Sequence, residues 1–435
     1  MKKILFVEKK LRADKLGILY LSAVLKEAGH STDLIQCDVD DIDTYMTDNK
    51  PDVLMYSVMS GEHKWFTQIN AELKKKYKFV SVMGGAHFTF FPEAGEKDDA
   101  IDFVVIGPGE HVVVDIVEGK ISNKVIKGLI PKSLEELPHP DRSILYKYDQ
   151  FGKSKMKRFI ATRDCKNACT YCFNHTYHRI FKDQKSNFFQ KTSPEKMVQE
   201  IKDVKNKYGL ELVYFNDDDL TDNHEWIIEF CKIYKEEINL PFCGSIRANS
   251  VDHDILDLLM DAGCTFLNIA LESANPETQK YLNRGSISNE QIEDVCVYAE
   301  SIGIKIRLQN MIGLPVENSY QDAIDTLKFN QKINPTDSWA SIFQPFPKTK
   351  IWEQCMERGL IDENTESNNF YESSVLKIEN IEKIDRLHKW WYFAIKYQMP
   401  IELVEILLEQ PLTEDVKEKI QNYRWETTAK IIYGL

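Results

Sequence analysis

The sequence predicts an α/β protein: a doubly wound parallel sheet over residues 1–125, a linker at 126–150, a partial (β/α)6 barrel over 151–360 and a mostly helical extension over 361–435. Two observations predict it. Short apolar runs alternate with helix-period segments through the first part of the chain, and strands alternating with helices pair in parallel. From Lys157 the same alternation restarts with new spacing and repeats six times.

In the first module the runs are Ile4 to Val7, Asp52 to Ser57, Phe79 to Met83 and Phe103 to Ile106, with helical periodicity over Leu16 to Ala28 and Lys64 to Tyr77. Ligands of such sheets bind at the carboxyl ends of the strands. Three tips fall there: Ser57 to Gly61, Gly84-Gly85-Ala86-His87 and Gly107-Pro108-Gly109-Glu110. Glycine at a strand-to-helix turn also has plain backbone reasons, so the tips alone specify a Rossmann-like binding domain and no ligand. The segment L-P-H-P-D-R, Leu137 to Arg142, closes the module.

The second module has expected strands at 157–162, 211–216, 242–247, 265–271, 304–310 and 337–343. Chemistry in barrels of this kind gathers at the strand carboxyl ends. Those ends carry a cysteine-rich loop, Asp217-Asp218-Asp219, Arg247, Glu272, Gln309-Asn310 and Gln344. The tail centres on His388-Lys389-Trp390-Trp391-Tyr392-Phe393, which at helical spacing reads as core, with a cap over the barrel mouth as the alternative.

Composition excludes several classes. The 435 residues are 43% hydrophobic and 28% charged, with no apolar run long enough to span a bilayer and an early charged N-terminal stretch, which predicts a cytoplasmic protein without a signal peptide. A net charge of −13 argues against binding a nucleic-acid backbone, and the basic run Lys74 to Lys78 reads as a solvated helix face. Nine cysteines without framework spacing read as reduced thiols. Six of them, Cys37, Cys231, Cys243, Cys264, Cys296 and Cys355, sit in apolar periodic segments and read as core.

The other three carry chemistry. Cys165, Cys169 and Cys172 form C-x3-C-x2-C on one loop, able to bind three irons of a 4Fe-4S cluster while leaving the fourth open. With His175 they also suit tetrahedral zinc. Asp217, Asp218 and Asp219 offer negative charge to a cationic ligand, or line the positive end of a helix capped by Asp222 or Asn223. Glu272 closes an apolar strand, a poor choice for a core, and ribose hydroxyls would satisfy it. Arg247 suits a carboxylate or an ion pair, and Gly313 lets the backbone approach a flat ring or simply turns the chain.

The run C-x3-C-x2-C, F-N-D-D-D-L, S-I-R-A-N, A-G-C-T-F-L-N-I-A-L-E-S, Y-L-N-R-G, I-G-L-P-V-E-N and Q-P-F-P-K-T resembles a radical SAM barrel in order and spacing. Ahead of it, M-G-G-A-H-F-T-F-F-P-E, V-V-I-G-P-G-E and L-P-H-P-D-R are similar to the domain that precedes this barrel in the cobalamin-dependent radical SAM family. The resemblance covers roughly residues 1–360, and it departs from the family at E-S-A-N and G-L-P-V-E-N.

The resemblance implies a 4Fe-4S cluster on Cys165, Cys169 and Cys172, and S-adenosylmethionine contacted by Tyr171, Asp217, Asp218, Arg247, Glu272, Gln309 and Gly313. It implies cobalamin contacted by Ser57, Gly84, Gly85, His87, Gly107, Gly109 and Glu110. No D-x-H-x-x-G motif occurs in residues 1–125, which implies base-off cobalamin with no histidine on cobalt; His63 is expected at the surface. The implied activity is C-methyl transfer to a carbon radical on a small molecule or peptide, with a flavodoxin or ferredoxin as electron donor. The resemblance leaves open dehydration, ring contraction or cyclisation with an empty cobalamin-like domain, methylthiolation of RNA, and a non-catalytic sensor. It assigns no catalytic side chain.

Overall fold

A computed structural model describes residues 1–363, 365, 367–368 and 372–433; the remaining positions of the expected extension at 361–435 lie outside the described residues. The chain forms two compact units: Met1–Lys157 with Phe181–Thr192 and Asp203–Leu210, and Arg158–Ile180 with Ser193–Lys202 and Glu211–Leu435.

The first unit is built on β1 (Lys3–Glu8), β2 (Ser31–Gln36), β3 (Val53–Ser57), β4 (Val80–Gly84), β5 (Phe103–Ile106) and β6 (Val125–Lys127), all parallel in the order β2-β1-β3-β4-β5-β6. The order reverses at β1 and β3, so a ligand crevice belongs at their carboxyl ends, beside Glu8 and Ser57. The strands bury Leu5, Val7, Ile35, Leu54, Met83 and Val104 against Phe66 and Phe88 of the helices α2 (His63–Lys76) and α3 (Ala86–Phe90), which follow α1 (Leu16–Glu27) in the chain. β2 escapes the apolar pattern because Ser31, Thr32 and Asp33 stand on its more exposed half; only Leu34, Ile35 and Gln36 are buried.

Residues 126–150 carry short helical turns and pack within this unit. Asp141 accepts from Ser22 of α1 at 2.6 Å and pairs with Lys26 at 2.7 Å, while buried Arg142 donates to Tyr146 Oη at 2.7 Å. The segment that reads as a linker is thus fastened by ion pairs whose partners lie over a hundred residues away in sequence, which no local pattern displays.

The second sheet comprises β7 (Met156–Phe159), β8 (Leu212–Phe215), β9 (Phe242–Ile246), β10 (Cys264–Glu272), β11 (Lys305–Ile312) and β12 (Asp337–Ile342), in sequential order. Each strand overlaps an expected run, because strands covered on both faces read as continuous apolar stretches. Asn223 caps α4 (His224–Glu237) by accepting from Trp226 N at 3.1 Å. The tail supplies α6 (Ile381–Lys396) after α5 (Ser319–Ile333), then α7 (Ile401–Glu409) and α8 (Glu414–Tyr433).

The aromatic tail is core. Ile384, Leu387, Trp391 and Ile395 of α6 join Ile312, Leu327 and Ile342 in one buried cluster, and Trp391 Nε1 donates to Ser338 Oγ at 2.9 Å. Below it, Asp337 pairs with Arg307 and with Arg424 of α8, each at 2.6 Å. Among the described residues no helix is long and apolar enough to cross a membrane.

Candidate functional site

The cysteine loop leaves β7 and is fastened at its start by Asp217, which caps the adjacent strand β8. Its carboxylate accepts from Ala161 N, Thr162 N and Thr162 Oγ1 at 2.6–3.2 Å and is 2% exposed. Asp217 therefore holds the start of the loop. Asp164 then adopts φ +78, a strained conformation for a non-glycine residue, and accepts from Cys165 N at 2.7 Å.

Two distant segments grip the rest of the loop. Thr170 N donates to Leu282 O at 3.1 Å, Asn283 Nδ2 to Ala168 O at 2.8 Å, and Ile351 N to Thr170 O at 3.0 Å. Cys169 is buried, and Cys165 and Cys172 are half-buried. Burial pushes the Cys172 thiol up to about 12, with Asp218, Cys169 and Cys165 adding to the effect, so the three sulfurs lie within electrostatic reach of one another. Burial likewise raises Cys165, while Asn167 and Arg247 pull it back.

The donor set fits a cluster better than zinc. His175 Nε2 accepts from Lys350 N at 3.0 Å, which engages that nitrogen away from the cysteines, while its Nδ1 is buried without a hydrogen bond. Among the described residues no three His, Cys, Asp or Glu side chains converge on one ion site. Zinc takes all its donors on one ion, whereas an iron-sulfur cube takes each thiolate on a separate iron.

Around the loop the rim sorts into three groups. Arg247, 6% exposed, lies with Nη1 3.7 Å from Cys169 Sγ and keeps a buried Nε without a hydrogen bond, so the guanidinium has capacity for a further acceptor. Glu272 accepts from Tyr171 Oη at 2.9 Å; burial raises its carboxyl, and Arg284, Tyr171 and Arg247 oppose that rise. A cavity of about 160 Å3 opens beside Cys165, lined by Thr162, Asp164, Asp219, Arg247 and Ser250. Asp218 is exposed, with Asn174 Nδ2 3.3 Å away, and partial desolvation pushes its carboxyl up.

The remaining rim residues differ in their surroundings. Asp219 is held by Ser250 Oγ at 2.8 Å and by Thr221. Asn310 is fully buried and exchanges amide bonds with Asn330 of α5, which places it outside the barrel mouth. Gln309, half-buried, stands level with Ala270 and Trp339 on the neighbouring strands. Gly313 ends β11 at φ +75, and Gln344 Nε2 donates to Ser373 O at 3.2 Å.

In the first unit the three tips follow three neighbouring strands at the carboxyl end of the sheet. Ser57 and Gly84 are register partners, and a Cβ on Gly85 (φ +87) would stand 2.6 Å from Val58 N, so only glycine lets the loops after β3 and β4 meet. A Cβ on Gly107 would collide with the Phe181 ring at 2.2 Å, while Gly109 packs near Leu21 and Val113. His87 is 7% exposed, bonds Ser60 Oγ through Nδ1 at 3.2 Å and stacks on His63 at 4.1 Å and 11°. His63 is half-buried against that ring rather than at the surface, because α2 begins at it and turns it inward. Glu110 is 5% exposed, and Glu8, 1% exposed, keeps Oε1 without a hydrogen bond. So many buried polar groups at strand ends suit a large polar ligand such as a corrinoid.

Comparison with known proteins decides the assignment. The radical SAM superfamily model matches residues 159–329 and the B12 binding domain model matches residues 2–117. The chain belongs to the B12-binding radical SAM enzymes. Such an enzyme uses a 4Fe-4S cluster, S-adenosylmethionine and cobalamin. It is 24% identical to an uncharacterized methyltransferase of Pyrococcus horikoshii over 80% of this chain and 79% of the relative. It is also 24% identical to the anaerobic magnesium-protoporphyrin IX monomethyl ester cyclase of Synechocystis over 80% of this chain and 74% of the relative. The radical S-adenosylmethionine methyltransferase TsrM of Kitasatospora setae shares the fold, with a TM-score of 0.67 and 17% identity over 82% of this chain and 77% of that one.

Three residues of this B12-binding radical SAM enzyme escape the sequence reading. Asp164 precedes the first cysteine but has no motif status of its own. His178, whose Nε2 lies 2.7 Å from both Asp164 oxygens, follows the loop by a helical turn and signals nothing. Arg284 lies inside Y-L-N-R-G, a run that carries the resemblance but assigns the arginine no role; it is 3% exposed and touches both Cys169 and Tyr171.

Proposed function

We propose that the chain is a cobalamin-dependent C-methyltransferase acting on a small molecule. The observation that carries the reading is Arg247 beside Cys169 with Glu272 on the same rim: a guanidinium with a spare Nε for a carboxylate, and an acid for hydroxyl groups, flank the loop where the open iron would stand. When bound, the cluster and S-adenosylmethionine supply one-electron hydrogen abstraction, and the corrinoid supplies a transferable methyl group.

The chain's own residues do the positioning. Cys165, Cys169 and Cys172 hold three irons; Arg247 takes the carboxylate of S-adenosylmethionine and Glu272 its ribose; Asp218 faces its positive charge, and Tyr171, Gln309 and Gly313 complete the pocket. Ser57, His87 and Glu110 meet the corrinoid's polar side chains, and the glycine tips Gly84, Gly85, Gly107 and Gly109 give it close backbone approach. The corrinoid is read as base-off without a histidine on cobalt: the His87 ring stacks on His63 and Phe91, and its Nδ1 bonds Ser60. A flavodoxin or ferredoxin supplies the electron. The tryptophan held by the TsrM structure is the kind of small substrate this reading implies.

The similarity to a cyclase over the same share of the chain favours a second reading, radical cyclisation without methyl transfer. The test is anaerobic protein loaded with cluster and cobalamin, given methyl-labelled S-adenosylmethionine and a reductant. Label on the corrinoid is the expected result. Formation of 5'-deoxyadenosine with an unlabelled corrinoid selects the cyclase reading.

A further inference from the structure

Arg284 belongs to none of the strand ends, yet its guanidinium enters the initiating site. The chain reaches it through a short helix, Pro276–Tyr281, closed by Asn283 at φ +58, after which Arg284 N donates back to Gln279 O at 2.7 Å. That turn drives the side chain inward to 3% exposure. Nη1 lies 4.0 Å from Cys169 Sγ and 3.4 Å from Tyr171 Oη, and Nη2 bonds Ala270 O.

Ala270 is where β10 breaks register with β11, and two residues on Glu272 stands at φ +68. A non-glycine residue holds that conformation only where its surroundings enforce it. Arg284 enforces it from two sides, through the Ala270 carbonyl and through Tyr171. Proton counting fixes the direction of the chain. A guanidinium only donates, so Tyr171 Oη accepts from Arg284 and spends its one proton on Glu272 Oε1, 2.9 Å away. Glu272 thereby keeps its remaining acceptor capacity for a ligand.

We propose that Arg284 is a positioning residue coupling the two halves of the initiating site, screening the Cys169 thiolate while fixing Glu272 as the acceptor for the ribose of S-adenosylmethionine. The inference rests on reading Cys169 as a cluster ligand. It separates two consequences that one buried ion pair would not: a positive charge near a cluster ligand favours the more negative, reduced cluster, and a planar fork is needed to reach Ala270 O and Tyr171 together.

The experiment compares wild type, Arg284→Met, Arg284→Lys and Tyr171→Phe after anaerobic cluster loading. The midpoint potential is followed by electron paramagnetic resonance, and S-adenosylmethionine affinity by equilibrium binding. Arg284→Met should lower the potential and weaken binding about tenfold or more, the loss of a charge-assisted hydrogen bond. Arg284→Lys should bring back the potential but not the affinity, and Tyr171→Phe should weaken binding at unchanged potential. If Arg284→Met does not load, the Lys and Phe variants carry the same test. Arg284→Met matching wild type in both measurements, or Lys matching Met in both, overturns the inference. A wild type that takes up no four-iron cluster overturns the reading of Cys169 as well.

Discussion

Both carboxylate oxygens of Asp164 lie 2.7 Å from His178 Nε2, and the same side chain accepts the amide proton of Cys165 at 2.7 Å. One residue in a strained backbone conformation, φ +78, thus ties the entry of the cysteine loop to the helix that follows it. Asparagine tolerates that conformation and retains an acceptor for Cys165 N; alanine does neither. Asp164→Asn should load iron nearly as wild type, whereas Asp164→Ala should lose most bound iron and about 2 kcal/mol of local stability. Iron and sulfide per chain after anaerobic loading, with chemical denaturation of the unloaded proteins, checks both.

Cys169 and the B12-binding domain belong to different compact units. Cys169→Ala should therefore abolish cluster loading and 5'-deoxyadenosine formation while leaving cobalamin affinity within about twofold, because sites with no shared partners behave additively. Cobalamin retained on gel filtration, quantified by its visible spectrum, measures the second half. Parallel loss of cobalamin would mean that the two sites fold or bind as one.

The stacked pair His63 and His87 makes the base-off reading testable without turnover. If neither ring ligates cobalt, the electron paramagnetic resonance of bound cob(II)alamin should lack nitrogen hyperfine splitting in wild type and in His87→Gln alike. A nitrogen triplet in wild type that disappears in His87→Gln or His63→Gln would assign the lower ligand to that ring.

How much of this was legible follows from where each signal resides. Cys165, Cys169 and Cys172 announce themselves by spacing, and the barrel strands by unbroken apolar runs, since both patterns are local. The tail reads correctly as core because Trp391, Leu387 and Ile384 recur at helical spacing. The hold of Asp217 on the amides of Ala161 and Thr162 does not show in the sequence, because a carboxylate at a strand end looks the same whether it faces a cation or caps backbone amides. Arg142 and Arg284 stand inside the runs L-P-H-P-D-R and Y-L-N-R-G, but those runs do not show their roles, because their partners Asp14 and Cys169 lie far away in sequence. Ser31 to Asp33 hide β2 because an edge strand with one exposed end needs little apolar surface.

Two buried groups of the first unit titrate with opposite effects over nearly the same pH range, so their contributions largely cancel in wild type and each is uncovered by removing the other. Burial pushes the Glu8 carboxyl up to about 7 against the pull of Lys15, 3.2 Å away, so the unfolded chain loses this proton first and stability falls as pH rises from about 4.5 through 7. Burial, reinforced by His63, takes His87 down to about 4. The unfolded chain gains that proton first, so stability falls as pH drops from about 6.5 through 4. Each shift is worth up to about 3 kcal/mol. Glu8→Gln should remove the loss with rising pH and uncover the loss with falling pH, and His87→Gln the reverse. Hydrogen exchange of the β1 and β4 amides between pH 4 and 8 resolves the two limbs, with His388, held near 4 by burial in the other unit, as a control that neither substitution should move. A His87→Gln protein whose first unit keeps the nearly flat response of wild type, instead of loosening as pH rises from about 4.5 through 7, would show that His87 is not the group responsible.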